Sequence, residues 1–188
     1  FPTIAKEKIA ITPNYSGNLN DVQIGEVITY RATITVSTGT SEGSVFEDVL
    51  AEGLAFIAVD NVTAPTDVST TAPGGFPALA ASAVITAEGN GVTAADRKVS
   101  IDFGTLSNTD TDNQPTEDIV IEYRAVVLNS QNNVRGQNLD NNANWYWDDP
   151  NTNDPNAPKL VINQRASVTI VEPELQITTT FTDDQIDL

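Results

Sequence analysis

Three polar side chains stand where the strand pattern calls for apolar ones. Asp48 shares its face with Phe46 and Leu50, and Asn141 shares one with Leu139, Ala143, Trp145 and Trp147. Lys8 falls in the register that Leu175 and Ile177 occupy in a second, partial copy of the opening segment. Burying such groups without partners costs on the order of 1–3 kcal/mol each, so an amine, a carboxyl and a carboxamide are expected to meet in the interior. One arrangement is a hydrogen-bonded Lys8–Asp48 ion pair, with Asn141 satisfying backbone groups.

A second constellation is acidic. Asp148, Asp149, Asn151, Asn153, Asp154 and Asn156 present oxygens at short intervals in a segment that Pro150 and Pro155 keep out of a regular strand. A calcium shell of six to eight oxygens needs that kind of spacing, and Asp110 and Asp112 offer a smaller version. No EF-hand spacing is present, and the same residues build ordinary exposed turns. Trp145, Tyr146 and Trp147 suggest a glycan-stacking platform, but alternation sends both tryptophans to the face of Ala143 and leaves only Tyr146 outside.

Composition excludes much else. The 188 residues carry nine Lys and Arg against 26 Asp and Glu, a net charge of −17, which repels nucleic acid and anionic lipid. No apolar run is long enough to cross a bilayer. With neither His nor Cys, a Ser-His-Asp triad, a Cys-His pair and thiolate zinc sites are ruled out. The many carboxylates include no pair in a motif that would frame a glycosidic bond. The chain is therefore read as not an enzyme.

The elements that must position these residues follow a period of two. Ile28, Tyr30, Ala32, Ile34 and Val36 alternate with polar neighbours, as do Ile119, Ile121, Tyr123, Ala125 and Val127. Shorter versions occur at Val99–Phe103 and Ala166–Ile170, with turn-rich stretches at Ser37–Gly43, Ser107–Pro115 and Asp148–Pro158. The pattern predicts an antiparallel β-sandwich. Asp60–Asp96 is the least regular stretch, with a short strand near Ala83–Ala87 or a brief helix near Ala78–Ala83 and otherwise a long loop. Phe1–Lys8 matches Glu172–Thr179 in its x-Pro-x-aliphatic opening, so the chain reads as a unit of a tandem array. On that reading residues 1–173 form one repeat. Residues 174–188 form the first strand of the next repeat, or a strand-sharing tail.

Five segments in order resemble one family. They are Gly25–Tyr30 ("G-x-x-x-x-Y"), Phe46–Leu54 ("D-x-L-P-x-G-L", with Ala51 in place of the proline), Phe103–Leu106 ("G-T-L"), Leu139–Ala143 ("L-x-N-x-A") and Glu172–Leu175 ("E-P-x-L"). Together they are similar to the prokaryotic surface conserved repeats, domain of unknown function eleven, grouped with isopeptide-forming fimbrial domains. The resemblance implies an immunoglobulin-like sandwich strung in tandem within a secreted bacterial adhesin or extracellular filament. The expected role is a rigid extender at the cell surface whose partners are neighbouring copies; the alternative is a carbohydrate- or ligand-binding module. It also implies a second arrangement for the polar triad, in which an uncharged Lys8 amine attacks the Asn141 carboxamide while protonated Asp48 assists. Desolvation moves both ionisations in the required directions, Lys8 down and Asp48 up.

Overall fold

The computed structural model describes residues 2–88, 95–111, 117–152, 154 and 156–171. The proposed tail 174–188, together with Asp112 and Asn153 of the calcium expectation, lies outside the described residues.

Two sheets face one another. The first has strand order β1 (Thr3–Thr12), β3 (Val27–Thr35), β9 (Asp118–Val127) and β5 (Leu54–Thr63), all antiparallel. The second runs β2 (Asp21–Val22), β11 (Leu160–Ile170), β10 (Asn138–Trp147), β4 (Gly39–Val49), β8 (Ala95–Asn108) and β6 (Val68–Thr70), with β7 (Val84–Glu88) also on β8. Among the described residues only β2 departs from antiparallel pairing, lying parallel to the end of β11. The alternation read in sequence is the alternation of burial: Ile28, Tyr30, Ala32 and Ile34 are fully buried, as are Ile119, Ile121, Tyr123 and Ala125 opposite them.

Three loop expectations change. Gly39–Gly43 belongs to β4, which pairs with β8 across register shifts between Ser41 and Val45 that break the alternation. Ser107 and Asn108 complete β8. Within Asp60–Asp96 the short helix and the strand both form: α1 (Phe76–Ser82) is followed after one residue by β7. Leu79 anchors the helix in the core and Phe76 packs on Phe103 at 6.1 Å between ring centres. The turn between β4 and β5 requires glycine at residue 53, where φ is 101° and an added Cβ would sit 2.0 Å from Asn133 Oδ1.

β1 begins beside Thr35, the pole of the sandwich where Trp147 pairs with Leu160, whereas β11 ends beside Val22 at the other pole. β1 thus begins at one pole and β11 ends at the opposite one.

Candidate functional site: a buried amine, acid and carboxamide between the sheets

Lys6, not Lys8, supplies the amine. Lys6 lies in β1 opposite Ala32, Asp48 in β4 opposite Ala143, and Asn141 in β10 opposite Ala166. Three small neighbours leave room for three polar side chains. Lys6 projects from the first sheet, Asp48 and Asn141 from the second, and all three are buried. Lys6 Nζ donates to Asp48 Oδ2 at 2.7 Å with neither side chain exposed. Tyr123 donates its hydroxyl to the same oxygen. The Lys6 ammonium lies 5.0 Å from the centre of the Tyr30 ring and 5.7 Å from that of Tyr123, and the two rings stack at 5.6 Å.

The expectation for Lys8 is corrected by a bulge. Pairing of β1 with β3 shifts between Lys8 and Ala10, so one strand carries two inward phases: Ile4 and Lys6 before the bulge, Ile11 after it. Lys8 sits at the changeover and reaches sideways, donating to Ser167 O at 2.5 Å and Asn20 Oδ1 at 2.9 Å. The pointer to Lys6 was present in the sequence. In the match of the two ends Lys6 aligns with the apolar Ile177, and Lys8 with the polar Thr179.

Electrostatics in the pocket follow burial. Desolvation lowers the Lys6 amine to about 8 against the pull of Asp48, and raises the Asp48 carboxyl above its ordinary range against the pull of Lys6, Tyr123 and Asn141. Both tyrosines are held firmly protonated, by desolvation first and the Asp48 charge second. Asn141 lies near enough to affect Asp48, Tyr30 and Tyr123. Asn141 is thus a hydrogen-bonding neighbour of all three, but with loose geometry: at ordinary hydrogen-bond distances and angles its Nδ2 and Oδ1, Asp48 Oδ1 and the Tyr30 hydroxyl have no partner. Asn141 therefore does not satisfy backbone groups, as the ion-pair arrangement required of it.

The acidic loop is built differently. Asp148 Oδ1 accepts from Lys159 Nζ at 2.6 Å, Asp149 Oδ1 accepts from the backbone and side chain of Asn151, and Asp154 Oδ1 accepts from Asn156 N. Among the described residues no three carboxylates converge as a metal cage. Asp110 is tied to the neighbouring strand ends, its carbonyl accepting from Thr38 and its amide donating to Asn108. An open cleft of about 770 Å³ at this pole has Val36, Leu106 and Trp147 among its walls and Glu42, Asp148, Asp149 and Asp154 about it. Trp145 is fully buried, and Trp147, though a core residue, contributes to the wall of this cleft.

No protein-family model matches the chain, and neither does any curated protein. Solved structures do. The C-terminal fragment of the major pilin GBS80 of Streptococcus agalactiae is 12% identical with a TM-score of 0.53, over 90% of this chain and 56% of that one. The full-length major pilin SpaD from Corynebacterium diphtheriae is 15% identical with a TM-score of 0.51, over 89% and 34%. The N-terminal domain of the Streptococcus gordonii adhesin Sgo0707 is 13% identical with a TM-score of 0.51, over 90% and 32%. The fold is an immunoglobulin-like β-sandwich, as in these pilin domains. This chain spans roughly a third to just over half of each of those structures.

Proposed function

We propose that this domain is a structural unit of a bacterial surface filament or adhesin, non-enzymatic toward other molecules, stiffened by an isopeptide bond between Lys6 and Asn141. The observation that carries the reading is the Asn141 carboxamide, buried with both polar atoms unpaired in a pocket that holds a desolvated amine and a carboxyl of raised basicity. Left unreacted, such an amide costs on the order of 1–3 kcal/mol.

The chemistry balances within the pocket. Lys6 passes its extra proton to Asp48, and the neutral amine attacks Cγ of Asn141 while the protonated acid polarises the carboxamide oxygen. The Nζ–Cγ bond forms and the Cγ–Nδ2 bond breaks. Nδ2 leaves as ammonia with the hydrogen that Nζ gives up, and Asp48 relays the proton.

The bond would tie the first strand of one sheet to β10 of the other, next to the last strand. Because β1 begins and β11 ends at opposite poles, a pull between those ends would pass from β1 through the covalent link to β10 and β11, bypassing the strands between. That suits an extender between neighbouring copies. Calcium would bind in the 148–156 loop by drawing Asp148 away from Lys159.

Intact mass tests the reading. The wild-type chain is expected to weigh less than its sequence by one ammonia. Lys6→Ala and Asn141→Ala should show their full masses, and Lys8→Ala should keep the deficit. A wild-type chain at full mass would overturn the bond.

A further inference from the structure

The two oxygens of Asp48 are used unequally. Oδ2 accepts from both Lys6 Nζ and the Tyr123 hydroxyl, whereas Oδ1, equally buried, accepts from nothing. An oxygen already engaged by two donors is a poor seat for a third hydrogen, so the proton of the neutral acid belongs on Oδ1. There it needs an acceptor, and Asn141 Oδ1 is a buried acceptor without a donor.

We propose that Tyr123 is the positioning residue for the Lys6–Asn141 bond: by donating to Asp48 Oδ2 beside the amine, it leaves Oδ1 to carry the acid proton to the carboxamide. The inference rests on the bond proposed above and adds to it the group that aims the acid. Tyr123 is suited to the task because it is held from several sides. Its strand lies between β3 and β5, and its ring packs on Tyr30 at 5.6 Å, Phe56 at 5.5 Å and Phe46 at 6.1 Å. Its hydroxyl stays protonated and so remains a donor across the working range. The groups facing Asp48 are Lys6 from β1, Tyr30 from β3, Tyr123 from β9 and Asn141 from β10, while its β8 neighbour Val99 is apolar. Of the two tyrosines, Tyr123 is the one that donates a hydrogen bond to the Asp48 carboxylate, drawing its ionisation downward.

The full chain, unfolded in denaturant before reaction and diluted into buffers from roughly pH 5 to 10, would be followed by intact mass as ammonia is lost. Tyr123→Phe is expected to slow the loss by about ten- to a hundredfold, since a misaimed reacting group costs on that order. Removing a donor from Asp48 also raises its ionisation, so the high-pH limb of the rate profile should move upward. A rate and limb equal to wild type would overturn the inference. So would a slower rate with an unmoved limb, which is the mark of lost packing alone. Tyr30→Phe keeps the Tyr123–Asp48 bond and should leave the limb in place; an equal displacement there would also overturn it. If Tyr123→Phe does not fold, 3-fluorotyrosine at position 123, a stronger donor, should shift the limb downward, and no shift would count against the role. A wild-type chain that never loses ammonia would instead overturn the bond itself.

Discussion

Two lysine–aspartate pairs in this molecule have nearly the same length and opposite surroundings. Lys6–Asp48 spans 2.7 Å between side chains with no exposure, and Lys159–Asp148 spans 2.6 Å with 39% and 52% of the side chains exposed. At the surface, water and salt screen the attraction and the pair is worth about 0–1 kcal/mol. In the core the same two groups are pushed toward their neutral forms, the amine to about 8 and the acid upward. The difference comes from what surrounds the pair: two stacked tyrosines, a buried carboxamide, and small alanine neighbours.

The largest expected effect breaks the interior member. If the proposed bond forms, Asn141→Ala removes the covalent closure of the loop from residue 6 to residue 141, whose chain-entropy contribution is about 5 kcal/mol, read as a drop in the denaturant midpoint. Wild-type and Asn141→Ala proteins of equal stability would exclude a structural role for the bond. Next, within the unlinked Asn141→Ala protein, Asp48→Ala strands the Lys6 amine in the core and should cost a further 3–5 kcal/mol, approximately. A change below about 1 kcal/mol there would place the pair on a par with its surface counterpart.

Protonation sharpens the comparison further. In the unlinked protein Lys6 titrates near 8 when folded and near 10.5 when unfolded. Across that window the unfolded chain holds a proton that the folded chain has released, so stability should rise with pH from about 8 to 10.5. Asp48, raised above 3.8, acts in the reverse sense, its contribution falling as pH climbs from 3.8 through the folded value. In a protein carrying the proposed bond Lys6 would be an amide, and the alkaline rise should vanish. Urea midpoints across pH for both proteins check this, and parallel curves would contradict it.

The smallest effect belongs to the surface pair. Lys159→Ala should cost no more than about 1 kcal/mol, and less in high salt. It also frees Asp148, so any stabilisation by calcium should be greater in this variant than in wild type. Identical melting with calcium and with chelator in both proteins would remove calcium from the account of this loop.

The strands around the pocket were legible because period-two alternation is local: Ile28–Val36 and Ile119–Val127 each show their buried face in their own residues. Asp48 and Asn141 were legible for the same reason, as polar side chains in apolar phase. Which lysine joins them was signalled only by the alignment of Lys6 with Ile177 in the match of the two ends. The bulge between Lys8 and Ala10 inverts the phase of β1 partway along, and a register shift is decided by the partner strand β3, which no window of β1 contains. The unequal use of the two Asp48 oxygens is still less local, since its donors come from β1 and β9, strands far apart in the chain. The sequence by itself determined the class of fold and two of the three buried polar groups. Only the tertiary structure chose Lys6, enlisted Tyr123, and assigned the acidic loop to Lys159 and local turns, because pairing across strands and exclusion of water are properties of the assembled sandwich.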